Sequence, residues 1–76
     1  MKFETLHRLV IRRPFRPVRV TLDDGSKAVV RHPESIMLSP SLCGIARGRE
    51  FPLLFEPEKV LSVEYLRNGS ERRHAS

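Results

Sequence analysis

The chain has 76 residues, 39% hydrophobic and 30% charged, and a net charge of +5 from 14 Lys and Arg against 9 Asp and Glu. That length suits one domain and leaves no room for a second, and the apolar content excludes a chain too polar to fold. A single cysteine, Cys43, excludes an intrachain disulfide framework.

No stretch approaches the roughly 20 apolar residues that span a bilayer. Glu4, His7 and Arg8 interrupt the apolar positions near the N-terminus, which reads against a secretory signal. The expected location is the cytoplasm. The basic balance, eleven of its fourteen cations being Arg, favours polyanionic partners through counterion release.

Residues 2–13 read as a helix. Phe3, Leu6, Leu9 and Val10 fall on one apolar stripe. Glu4 in the first turn, with Arg12 and Arg13 in the last, suits the helix dipole. Pro14 is expected to end it, because a residue before proline is pushed out of the helical region. Phe15, between Arg16-Pro17 and Pro14, is expected to anchor a stiff connector against the core.

Val18, Val20 and Leu22 alternate with Arg19 and Thr21, the pattern of a half-buried strand. Asp23-Asp24-Gly25 is the strongest turn signal in the chain. A loop with Gly25 in the left-handed conformation pairs Val18 with Val30, Val20 with Ala28 and Leu22 with Ser26. That register collects apolar and small residues on one face and leaves Arg19, Thr21, Lys27 and Arg31 on the other.

His32-Pro33-Glu34 interrupts pairing. Short strands follow at 36–38, 43–47 and 51–55, with Pro52 placing the last of these at an edge or a start. Residues 56–59 read as a connector with one helical turn begun by Pro57. A final strand spans 60–66, with Leu61, Val63 and Tyr65 on one face and Ser62 and Glu64 on the other. Residues 1–67 make the expected domain. The tail over 68–76 has nothing to bury and is expected to be disordered. The fold expected is α+β, an N-terminal helix followed by a five- to six-stranded antiparallel meander that curls into a small barrel.

Pro14-Phe15-Arg16-Pro17-Val18, Val20 to Gly25, and Val30-Arg31-His32-Pro33-Glu34 resemble a group of short bacterial proteins. These open with a helix and share a Pro-Phe-x-Pro-Phe, Asp-Gly, His-Pro-Glu pattern; here Val18 replaces the second aromatic residue. The resemblance covers about residues 5–66 and implies a fold but no activity. Val20-x-Leu22-x-Asp24-Gly25 and Arg47-Gly48 are also similar to Sm-like small barrels, a resemblance that implies an Sm-like or SH3-like barrel and RNA binding.

Candidate chemistry is sparse. His32 lacks a nucleophile or carboxylate at useful spacing and reads as a structural residue at a strand end, bonded to a backbone carbonyl. Cys43 reads as a small buried strand residue. Asp23 and Asp24 read as turn residues. His7, His32, His74 and Cys43 show no metal-ligand spacing. No enzyme, cofactor, metal, membrane or small-molecule substrate is expected.

The residues that stand out are basic. Arg12, Arg13, Arg16 and Arg19 surround Phe15, Arg31 and Lys27 share a face with Arg19, and Arg72 and Arg73 add charge in the tail. Two readings stand side by side. One is a non-enzymatic interaction module with a protein partner or a second copy of itself. The other is a nucleic-acid-binding domain acting through Arg12, Arg13, Arg16, Arg19 and Arg31.

Overall fold

A computed structural model of the chain describes residues 1–66. The disordered tail expected over 68–76, with Arg72 and Arg73, lies outside the described residues.

The helix α1 spans Phe3–Val10. Leu6 and Val10 are fully buried, and Phe3 and Leu9 half-buried, as the stripe requires. The helix is shorter than the expected 2–13. Its last helical bond runs from the Ile11 amide to the His7 carbonyl at 2.8 Å. Pro14 denies Arg13 the helical conformation, and the chain has already left the helix at Ile11. Arg12 and Arg13 therefore sit beyond the helix, and His7 and Arg8 are the basic residues of its last turn.

Six strands follow: β1 Val18–Leu22, β2 Lys27–Val30, β3 Ile36–Met37, β4 Cys43–Arg47, β5 Glu50–Phe55 and β6 Val60–Tyr65. They form two three-stranded antiparallel sheets, ordered β2-β1-β6 and β3-β4-β5. The sheet does not curl into a closed barrel as expected. Nor is the order a plain meander, because β6 returns to lie beside β1. The breaks have a local cause. The chain passes between sheets at Pro33–Ser35 and at Pro57–Lys59, each a 3-10 turn opened by proline. A proline has no amide to donate, so neither segment extends a ladder.

The first hairpin has the register expected from its pattern. Val18 lies opposite Val30 and Val20 opposite Ala28, and the Leu22 amide donates to the Ser26 carbonyl at 2.8 Å. Gly25 has φ +92°, the left-handed region a side chain would resist. The Ser26 amide donates to Asp24 Oδ1 at 2.8 Å, which holds the Asp24 carboxyl below its ordinary pKa of 3.8.

The inner faces of both sheets and α1 share one core. It holds Leu6, Val10, Val18, Val20, Leu22, Val30, Cys43, Ile45, Phe55 and Val60, with Phe15 packed against it. Burial raises the Cys43 thiol pKa, and the thiol donates to the Ser39 carbonyl at 3.5 Å. In the first sheet, β6 departs from simple alternation. In β6 the register slips, so that Thr21 faces Ser62 and Leu22 faces Val60. Leu61 is the extra residue of this bulge and is 67% exposed, where alternation had put it beside Val63 and Tyr65.

Candidate functional site

Arg12, Arg13, Arg16 and Arg19, near Phe15 in sequence, and Arg31 beyond β2 make different contacts. Arg19, on the outer face of β1, pairs with Glu64 of β6 at 3.0 Å. That pairing follows from register, because the two residues are direct cross-strand neighbours. Arg31 is exposed just past β2. Arg13 is exposed on the connector and lines a hollow of about 270 Å³ with Ile11, Arg12, Phe15 and Pro33.

Arg12 and Arg16 share one aromatic ring. Their guanidinium carbons lie 5.3 and 5.0 Å from the centre of the Tyr65 ring. Tyr65 sits at the end of β6 opposite Val18, and its hydroxyl donates to the Leu9 carbonyl at 2.6 Å. The ring is thus fixed at one end by the helix and at the other by its strand. The ring beneath Arg12 and Arg16 comes from the far end of the described chain and not from Phe15, the aromatic residue nearest in sequence. Nothing in local sequence marks Tyr65 for this role, since its strand pattern reads as an ordinary inward position.

The other sequence candidates are single residues. His32 is exposed and precedes the Pro33–Ser35 turn; its backbone carbonyl, and not its ring, makes the bond recorded there, accepting from the Ser35 amide at 2.9 Å. Cys43 is fully buried. Among the described residues no three His, Cys, Asp or Glu side chains are placed to hold a metal ion. No helix there is long and apolar enough to cross a membrane.

A second surface had only a partial signal in the sequence. The outer face of the second sheet is apolar. Register sets Met37 beside Gly44 and Gly44 beside Leu54. Met37 is 54% and Leu54 45% exposed. Met37 and Gly44, with Glu34, Ser35, Ile36, Ala46 and Pro52, border a groove of about 290 Å³, and Leu54 packs across Gly44 beside it. Gly44 is central to it. A Cβ there would lie 3.1 Å from Leu54 Cδ2 and 3.8 Å from Met37 Cε, so glycine lets both side chains lie across β4.

The edge of this face is β5. Phe51, 72% exposed, sits where β5 bulges against β4. The Arg47 guanidinium covers its carbonyl, donating twice at 3.0 and 2.8 Å. The signal that could have located this face was the run Phe51-Pro52-Leu53-Leu54-Phe55. A strand apolar on both faces expects cover on both, and this chain covers only one.

No protein-family model, curated protein or solved structure matches the chain. Its function is therefore argued from these two surfaces.

Proposed function

We propose that the chain is a non-enzymatic interaction module that self-associates through the outer face of its second sheet. The observation carrying this reading is the apolar face of Met37, Gly44, Ala46, Pro52 and Leu54, left uncovered in a small domain. Such domains commonly gain stability from a second apolar surface.

Charge selects a second copy as the occupant. Along this sheet Glu34 and Glu50 balance Arg47 and Arg49, so its described residues carry no excess positive charge. Two basic copies repel over most of their surface and meet without that penalty here. A two-fold arrangement also sets each rim, bearing both signs, against an identical one.

Size sets the strength. Strands of two, five and six residues, about 4.8 Å apart and rising about 3.4 Å per residue, make a face of about 210 Å². A standard interface buries about 800 Å² per partner, so self-association is weak and reversible, in the range of tens to hundreds of micromolar.

The test is sedimentation velocity from about 10 μM to about 1 mM, a range that brackets that affinity. The expected result is a mass that rises with concentration and persists in moderate salt. Met37→Glu with Leu54→Glu should hold the protein monomeric without unfolding it, because both side chains are exposed. Thr21→Glu, on the outer face of the first sheet, should leave association intact. A monomeric mass throughout, or equal loss with Thr21→Glu, rejects the reading.

A further inference from the structure

Arginines normally find carboxylates or carbonyls, and like charges avoid one another. Arg12 and Arg16 have no such carboxylate or carbonyl partner among the described residues. Both guanidiniums lie over one ring, which places their central carbons no more than about 10.3 Å apart. Among the described residues the one ion pair is Arg19 with Glu64, and no carboxylate neutralises Arg12, Arg13 or Arg16. The Tyr65 hydroxyl is committed to the Leu9 carbonyl, so the ring holds the two cations in place as a fixed platform.

The adjoining hollow has complementary chemistry. Arg12 and Arg13 stand beside an apolar lining of Ile11, Phe15 and Pro33, and no acidic residue borders it. Ile11 is 42% exposed, so that lining is open to a ligand. Planar cations beside an apolar floor suit an anion attached to a flat, apolar body.

We infer that Arg12, Arg13 and Arg16, with the Tyr65 platform and the Ile11–Phe15–Pro33 hollow, form a binding site for a phosphate ester of a nucleotide unit. The arginines hold the phosphate oxygens, and the base lies against Ile11, Phe15 and Pro33. A free nucleotide and a residue within a single strand present the same chemistry. This site uses different residues from the apolar sheet face and stands or falls independently of it.

The test is fluorescence anisotropy with a labelled single-stranded RNA of about 12 nucleotides, a length within the usual single-strand site size. With one phosphate neutralised, and up to three where each arginine meets its own phosphate along a strand, log affinity should fall against log salt with a slope between about −0.7 and about −2 from about 50 to 300 mM. Arg12→Ala with Arg16→Ala should weaken binding at least about tenfold. Lys27→Ala with Arg49→Ala removes the same charge elsewhere and should change it little. Should the first double variant fail to fold, Arg13→Ala serves instead, since that side chain is exposed; about threefold weakening is expected.

Unlabelled ATP separates the two sources. Displacement of the RNA by ATP assigns the site to a nucleotide, and strand binding that ATP leaves intact assigns it to single-stranded nucleic acid. Failure of both ligands to bind at about 50 mM salt overturns the inference. Equal weakening by the Lys27/Arg49 control, or no weakening by Arg13→Ala, overturns it as well.

Discussion

The two sheets share one core yet treat water differently. The outer face of the first carries Arg19, Thr21, Lys27, Ser62 and Glu64, and its exposed apolar residues are Val29 and, at the β6 bulge, Leu61. The outer face of the second carries Met37, Gly44, Ala46, Pro52 and Leu54. Antiparallel sheets packed on one side normally alternate apolar and polar residues, as the first sheet does. The second lacks the polar half of that pattern. Single exposed apolar residues are unremarkable on a surface; the contiguous patch across three strands is what the proposed self-association rests on. The sheet that looks like a finished surface also contributes Tyr65, the platform for the arginines. The two candidate functions thus fall on different halves of the fold.

The sharpest way to break this comparison is to ask whether the halves fold as one unit. Leu22 belongs to the first sheet and Ile45 to the second, and both are buried in the shared core. Leu22→Ala and Ile45→Ala should each cost about 2–5 kcal/mol, through lost burial and the cavity left behind. Each sheet also carries its own reporter. Tyr65, the only tyrosine in a chain without tryptophan, reports on the first, and the buried Cys43 thiol on the second. In a urea titration, Tyr65 fluorescence and Cys43 labelling should change together, in the wild type and in both variants. Separate transitions would mean that the sheets are independent units.

Local pattern made much of the first sheet legible. The Asp24-Gly25 turn and the alternation of Val18, Val20 and Leu22 specified the hairpin register, because a one-residue slip would turn the apolar set outward. Pro57 marked the 3-10 turn, and the helix stripe identified Leu6 and Val10 as buried. Features requiring distant partners were not legible. Nothing in Val60–Tyr65 says that it pairs with Val18–Leu22, and alternation alone could not anticipate the bulge at Leu61. The same limit applied to the site. Sequence proximity grouped Arg12, Arg13, Arg16 and Arg19 around Phe15, whereas register sent Arg19 to Glu64 and the return of β6 brought Tyr65 to Arg12 and Arg16.

A milder test concerns how the first sheet keeps its outer face polar. Arg19 and Glu64 are cross-strand neighbours, and both side chains are well exposed. Their coupling in a double-mutant cycle of Arg19→Ala and Glu64→Ala should be about 0.2–1 kcal/mol, and it should shrink as salt screens the pair. Coupling above that range and insensitive to salt would make the pair a structural clamp. The polar face would then stabilise the fold by more than its solvation.

The smallest effect expected lies at the hairpin turn that sets the first sheet's register. The Ser26 amide donates to the Asp24 carboxylate, so the charged form is favoured in the folded chain and its pKa is lowered. A lowered folded pKa fixes the sign. The stabilisation is present above the ordinary value of 3.8 and is lost as pH falls through the lower, folded value. Asp24→Ala should therefore be slightly less stable than wild type at neutral pH, and the difference should close in acid. The same titration should appear as a shift of the Ser26 amide resonance, since that proton is the one donated. A stability gap that stays constant from neutral to strongly acidic solution would mean that Asp24 supports the turn by its backbone preference and not by its charge. The register of the first sheet would then rest on Gly25 and the buried alternation alone.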